Sequence, residues 1–542
     1  MLKIKPVRPE VLTLTASACL LAAFNLPLWQ HLGSIALGIR TPLIAAFGLL
    51  VAAAFNLVLA LLSGRWTLKP SLMFLFPLSA AAAWFMNRYG VMIDAGMFRN
   101  VAETDLAEVV DLLSWKFGSY MLLCGIFPAL VIYKLPVNYR VGVSGVVSRL
   151  LVAVVSAVLM AVIALSNYQG LASLFRNHHE LRLLVVPSNV VGATIGYLGE
   201  QLASARHPFT TLGIDAHKAS IWAAHHRPSL TVLVVGESAR ADNFSLLGYK
   251  RETNPELTRE SGLLAFSDVR SCGTETAVSV PCMFSNLGRR NYSAAQAQAR
   301  EGLLDVLAHA GLKVLWLDNQ SGCKGTCARV GYENLSGRQD ARYCDHECHD
   351  EVLLSGLPAL LDSLKEDTVL VVHQMGSHGP DYFKRYPAGY EHFSPVCQSN
   401  DLAACSRESI INAYDNSIRY TDHILASLID TLRSRQGEVD SAMLYLSDHG
   451  ESLGEYNLFL HGTPYMLAPD QQKHVPLLAW FSDGYQRSFQ LDQACLARRQ
   501  GNAYSQDNLF HSMLGLLQIE TSVYSASLDL FAGCRGLTSS QG

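Results

Sequence analysis

The 542-residue chain is half hydrophobic and only 16% charged, with a formal net charge of −4. That length exceeds the roughly 100–200 residues of a single domain, and the charge balance lacks the broad basic surface that nucleic-acid binding favours, which excludes that class of partner. The apolar excess lies before about residue 166, whereas most Asp, Glu, His and Cys follow residue 230, so a membrane part precedes a soluble one.

Apolar runs at 11–31, 43–63, 70–87, 119–134 and 147–166 are long enough for a hydrocarbon layer of roughly 30 Å and predict five helical spans. The third and fourth are short or interrupted, with a re-entrant or interfacial segment as the alternative. The first run exceeds a signal-peptide core and has no small-residue cleavage site, so it reads as retained. With the N-terminus inside, the inner segments hold Lys3, Lys5, Arg8, Arg65, Lys69, Lys134, Arg140 and Arg149, against Arg40, Arg88, Arg99 and Lys116 outside. This bias places everything after residue 166 beyond the cytoplasm, as expected of a multi-pass inner-membrane protein with a periplasmic domain.

Cysteine usage is an independent sign of the same compartment. Of twelve cysteines, Cys19 and Cys124 fall in spans, leaving an even ten in the exported part, which fits an oxidising environment. Nearest-neighbour spacing suggests Cys272 with Cys282, Cys323 with Cys327, Cys344 with Cys348, Cys397 with Cys405 and Cys495 with Cys534. A zinc knot of Cys323, Cys327, Cys344 and Cys348 is the alternative; the three-residue gaps and the exported setting favour disulfides.

Residues 1–166 thus read as a transmembrane domain and 167–229 as a linker with amphipathic helices. From 230 to 542, β-rich runs at 231–235, 313–317, 368–373, 442–446 and 476–481 alternate with helical periodicity, as at 301–310 and 409–433. The alternation predicts an α/β domain with a largely parallel sheet, whose functional residues gather at the carboxyl ends of the strands.

Three such ends carry chemistry. The first strand runs into Gly236, Glu237 and Ser238; the strand ending at Leu446 runs into Ser447, Asp448, His449, Gly450 and Glu451; the strand ending at His373 is followed by Ser377, His378, Gly379 and Pro380, and His461 comes soon after the Asp-His pair. Carboxylate and imidazole are ligands zinc favours, and a catalytic site keeps one position for a reacting group. Singly these residues are weak signals, since a glutamate after a strand is more often a cap or surface charge and a loop histidine is usually solvated. Between Cys272 and Cys282 lies a hydroxyl-rich loop in which Thr276, Thr274, Ser279 and the flanking Ser271 compete as nucleophile. A free threonine hydroxyl is a poor nucleophile, and a metal ion beside it lets it ionise near neutral pH.

The segments GlyGluSerAlaArgAlaAspAsnPheSer at 236–245, CysGlyThrGluThrAlaValSerValProCysMetPheSer at 272–285, GlyCysLysGly at 322–325, SerHisGlyPro at 377–380 and SerAspHisGlyGluSerLeuGly at 447–454 together resemble the phosphoethanolamine–lipid A transferases, which include the colistin-resistance enzymes and belong to the alkaline phosphatase superfamily. The resemblance covers nearly the whole chain. It implies an alkaline-phosphatase/sulfatase-like exported domain and one tightly bound zinc, with room for a second. It implies zinc ligands at Glu237, Thr276, Asp448 and His449, and selects Thr276 as the residue that becomes phosphoethanolamine-modified. It further implies that His378 and His461 hold the phosphoryl group or a second zinc and protonate the leaving alcohol. Lys324 and Glu451 match positions contacting donor or second metal. Asn100, Thr104 and Glu108, four apart and so on one helical face, match a set near the lipid headgroup.

The implied reaction takes phosphoethanolamine from phosphatidylethanolamine to lipid A in a monomeric enzyme, reducing surface negative charge and polymyxin binding. Its rivals are transfer to a core sugar of lipopolysaccharide, glycerol-phosphate transfer, and a non-catalytic scaffold or transporter. A sulfatase would need a CysXaaProXaaArg-type loop, absent from the candidate region, and the spans carry too few ionisable groups for a transport path.

Overall fold

The computed structural model describes residues 5–35, 41–103, 112–178, 180–204, 208–338, 340–344 and 347–536. The chain divides into two compact units, Met1–Phe98 with Leu113–Gly196, and Arg99–Leu112 with Tyr197–Gly542.

The helical elements up to residue 204 are α1 (Pro9–Phe24), α2 (Leu26–Ile35), α3 (Thr41–Leu61), α4 (Leu68–Tyr89), α5 (Ala95–Glu103), α6 (Trp115–Lys134), α7 (Val143–Ser166), α8 (Tyr168–Asn177), α9 (Leu181–Leu184) and α10 (Ser188–Ser204). Among the described residues, helices α3, α4, α6 and α7 are each long and apolar enough to cross a membrane, and α1 with α2, bent by 64°, passes the same test only as a pair, as a broken span or a re-entrant loop. The bend has a local cause. Buried Asn25 leaves helical geometry and turns its side chain onto the backbone, donating to Leu20 O and Val186 O at 2.9 Å each and accepting from Val186 N at 2.7 Å. Pro27, lacking an N–H, suits the first turn of the next helix. The third run, expected to be short, is a continuous 22-residue helix with Pro77 inside it. The fourth is interrupted by a π-turn at Met121–Ile126. There a Cβ on Gly125 would meet Pro77 Cα at 3.0 Å, so only glycine lets the two backbones pack this closely.

The second unit is built on a seven-stranded sheet. Its strands are β1 (Ser229–Gly236), β2 (Leu264–Phe266), β3 (Lys313–Asp318), β4 (Gly331–Asn334), β5 (Thr368–His373), β6 (Asp440–Ser447) and β7 (Leu477–Phe481), in the order β2-β7-β6-β1-β5-β3-β4. The pairs β1/β5, β1/β6, β3/β5 and β3/β4 are parallel, and β7 runs antiparallel to both neighbours. Every residue of β1, β5 and β6 is buried, as expected of central parallel strands covered on both faces. Each of their Val and Leu side chains contributes about 1.5–3 kcal/mol by leaving water. Register pairs Val235 with His373 and Gly236 with Ser447, which sets Glu237, Gln374 and Asp448 side by side at one sheet edge. The five disulfides are Cys272–Cys282, Cys323–Cys327, Cys344–Cys348, Cys397–Cys405 and Cys495–Cys534, the pairs that spacing suggests, and Cys19 and Cys124 are free.

Candidate active site

Thr276 opens helix α11 (Thr276–Met283), directly after Glu275 in extended backbone. The first turn leaves N–H groups unsatisfied and carries a partial positive charge, so the hydroxyl stands where an anion is favoured. The loop before it is tightly held. Cys272 is bonded to Cys282, Gly273 N donates to Ser279 Oγ at 2.9 Å, and Thr274 Oγ1 donates to Thr463 O at 2.7 Å. Ser279 and Thr274 therefore serve the loop, and Ser271 Oγ donates to Gly273 O at 2.5 Å.

Thr276 Oγ1 donates to Glu237 Oε2 at 3.0 Å and lies 3.3 Å from His449 Nε2. His449 Nε2 is 3.3 Å from Asp448 Oδ2 and 3.5 Å from Glu237 Oε1. All four residues are buried. Donor atoms of Glu237, Asp448 and His449 lie within 4.8 Å of one another.

The remaining hydrogen bonds fix how these groups face. His449 Nδ1 lies 2.9 Å from Gly450 O; a carbonyl only accepts, so Nδ1 carries the proton and Nε2 turns a lone pair toward the carboxylates. Asp448 Oδ1 accepts from Ser238 N at 3.1 Å and His449 N at 2.7 Å, leaving Oδ2 to face His449 Nε2 at 3.3 Å. Glu237 accepts from Ser238 Oγ at 2.7 Å and Gln320 Nε2 at 3.1 Å. Two carboxylates and an imidazole lone pair thus converge in a buried space, an arrangement that repels itself until a cation enters. The electrostatics say the same. Burial, then Asp448, pushes Glu237 up to about 8, burial pushes Asp448 up to about 6, and burial with neighbouring His461 holds His449 well below the usual imidazole range. These residues fit a divalent metal, and zinc suits the mixed oxygen and nitrogen donors.

The two further histidines adjoin this cluster. The His461 ring lies 4.5 Å from that of His449 and 5.3 Å from that of His378. Burial opposes a charge on His461, but Glu451, whose Oε2 is 3.1 Å from its Nδ1, outweighs that and raises it to about 9. Burial and then His461 hold His378 well below its usual range, and Lys324 acts in the same direction. Lys324 itself, at φ 50°, donates to Ser321 O and Ser321 Oγ at 3.1 and 2.8 Å. Asn100 is half-buried on α5, whereas Thr104 and Glu108 lie outside the described residues.

Several positioning residues have no motif to reveal them. Gln506 accepts from Cys272 N at 2.7 Å and donates to Ser447 O and Asp448 O at 2.7 and 2.6 Å, tying the nucleophile loop to the end of β6. On helix α12 (Arg407–Ser434), Tyr414 donates its hydroxyl to Ser238 O at 2.7 Å and accepts from Arg240 N at 3.0 Å. Gly376, at φ 55°, passes so close to Glu237 that a Cβ would meet its carbonyl oxygen at 2.6 Å. Of these, only the glycine of the MetGlySerHisGly turn carries even a weak signal, a breaker directly after a strand.

A largely parallel sheet whose strand ends surround a buried threonine with carboxylates and histidines defines an alkaline-phosphatase/sulfatase-like catalytic domain, and residues 229–519 match the sulfatase family model. Residues 51–202 match a second family model, described as phosphoethanolamine transferase EptA/EptB. Phosphoethanolamine transferase EptA of Salmonella typhimurium is 41% identical over 533 residues, covering 96% of this chain and 95% of that one. Phosphatidylethanolamine transferase Mcr-1 of Escherichia coli is 36% identical over 493 residues, covering 88% and 90%. Among solved structures, the integral membrane protein lipooligosaccharide phosphoethanolamine transferase A from Neisseria meningitidis superposes with a TM-score of 0.94 at 33% identity, covering 98% of this chain and all of that one. The chain belongs to the phosphoethanolamine transferase family.

Proposed function

We propose that this enzyme moves phosphoethanolamine from phosphatidylethanolamine to a phosphate of lipid A through a covalent intermediate on Thr276, as a monomer of the inner membrane with residues 230–542 in the periplasm. The observation that carries the reading is the Thr276 hydroxyl, buried at a helix N-terminus and hydrogen-bonded into the Glu237, Asp448 and His449 cluster. The names of the relatives support the cargo, and one solved relative is named for transfer to lipooligosaccharide.

Glu237, Thr276, Asp448 and His449 would hold zinc. Once bound, zinc supplies Lewis acidity that lowers the pKa of a neighbouring hydroxyl and offsets charge on phosphoryl oxygens. The chain's own residues do the rest. Thr276 Oγ1 gives up its proton to solvent and forms the new bond to phosphorus, and the bond from phosphorus to the diacylglycerol oxygen breaks. His461, kept protonated by Glu451, gives a proton to that oxygen. In the second half an acceptor phosphate oxygen attacks the same phosphorus, and Oγ1 departs and takes up a proton to restore the hydroxyl, while His461 regains its proton from water. The added ammonium lowers the net negative charge of lipid A and weakens binding of cationic polymyxins.

Mass spectrometry of lipid A from cells expressing the wild type or Thr276→Ala tests this. A phosphoethanolamine addition is expected in the first only; the addition in both, or in neither, overturns the reading.

A further inference from the structure

We propose a second cation site, in the helical unit, where His31 Nε2, His178 Nδ1 and Glu180 Oε1 together hold a transition-metal ion of the zinc type. One donor atom from each of the three residues lies within 4.8 Å of the other two. Glu180 Oε1 is 3.0 Å from His31 Nε2 and 2.9 Å from His178 Nδ1, so one carboxylate oxygen sits between two imidazole nitrogens contributed by distant stretches of chain.

Local backbone explains the convergence. His31 rides on α2, the second arm of the bent first span. His178 and Glu180 occupy the break between α8 and α9, where His178 leaves helical geometry at φ −130°, ψ 67° and Glu180 re-enters it at φ −64°, ψ −25°. A helix would point residues two apart in different directions; the break turns both toward α2. The two imidazoles meet edge to face at 80° with centroids 6.2 Å apart, which lets their in-plane nitrogens converge on one point where stacked rings would not.

The donor set selects the ion. Two imidazoles and a carboxylate suit zinc, cobalt(II) or nickel, whereas magnesium and calcium prefer all-oxygen shells. A tetrahedral ion with bonds of about 2.0–2.1 Å spaces its ligand atoms by about 3.4 Å, so each of the two carboxylate–imidazole gaps would open by about half an ångström. The side chains are 33%, 28% and 13% exposed, which gives an ion a path from water and leaves a coordination position for solvent. By the charge bias of the loops, this end of the first span faces the periplasm. A bound ion would fasten α2 to the α8–α9 segment. The site shares no residue with the catalytic cluster and does not depend on the function proposed above.

The alternative is a plain hydrogen-bonded trio, and metal binding separates the two. Full-length, tag-free protein in detergent would carry Glu237→Gln and Asp448→Asn to disable the catalytic cluster, then be equilibrated with cobalt(II) and, separately, zinc. The expected result is close to one metal per chain, with cobalt absorption bands of low coordination number and a rise in Tm on adding zinc. Adding Glu180→Gln, or separately His31→Gln, should weaken metal binding at least tenfold and abolish the Tm response. No metal in the disabled background, or unchanged affinity in both added variants, overturns the proposal. Each added variant is checked for an unaltered circular dichroism spectrum; if one fails to fold, the other decides on the same readout.

Discussion

Thr276 Oγ1 stands 3.0 Å from Glu237 Oε2 with both side chains out of water, so the hydroxyl is held in one direction, toward the cluster. A buried donor and acceptor so placed are oriented before substrate arrives, and orientation is a large part of what a protein contributes to group transfer. Thr276→Ser keeps the oxygen but frees its rotation. It should retain measurable transfer, about 10- to 100-fold below wild type, while Thr276→Ala should fall by about a thousandfold or more. Transfer of a fluorescent phosphatidylethanolamine headgroup reports both, and equal activity of the two variants would contradict the assignment.

Metal binding should be coupled to proton release. Burial and Asp448 hold Glu237 near 8 in the metal-free cluster, so at pH 7 it is mostly protonated, and a cation must displace that proton. Zinc binding by calorimetry at pH 7 in buffers of different ionisation enthalpy should show release of close to one proton. Affinity should rise as pH goes from 6 to 8. A proton count of zero with pH-independent affinity would show that the carboxylates are already ionised.

Gln506 joins Cys272 N to Asp448 O without offering an atom to substrate. Gln506→Ala should leave the fold intact and lower zinc affinity and kcat by about 10- to 100-fold, as loss of groups that orient metal ligands does. Metal titration alongside kinetics distinguishes this from a stability effect: a lowered Tm with unchanged metal affinity would assign Gln506 to structure alone.

Asp422, on α12 and away from the cluster, accepts from Glu256 N and Leu257 N at 2.9 and 3.1 Å, yet burial pushes it up to about 7. Its folded pKa exceeds the unfolded value of about 3.9, so the native state binds the extra proton. The stabilisation is full below about pH 4 and is lost as pH rises through about 7. Asp422→Asn should flatten that part of the stability profile, raising Tm at pH 8 relative to wild type more than at pH 5. Thermal melts of both proteins across that range provide the check, and parallel profiles would count against it.

How much of this was legible depends on where each signal is stored. Glu237, Asp448 and His449 directly follow strands with continuous apolar runs, so periodicity alone places them at one sheet edge. Each of the five disulfides joins two cysteines that follow one another in cysteine order, even the pair 39 residues apart, which is why spacing suggests them. Strand β4 is exposed along its whole length and shows no apolar pattern. The antiparallel course of β7 depends on its partners and leaves no mark in its own residues. The bend at Asn25 rests on Val186, distant in sequence, so the first run reads as straight. Gln320, Tyr414 and Gln506 are ordinary polar residues until the fold brings them to the cluster.

The covalent step is the centre of the account. Purified full-length enzyme, incubated with phosphatidylethanolamine without acceptor, then acid-quenched and digested, should yield a phosphoethanolamine-modified peptide whose fragment ions place the group on Thr276. Adding lipid A before the quench should discharge it. Modification on Thr274 or Ser279, or product formed with no modified peptide under single-turnover conditions, would contradict the account.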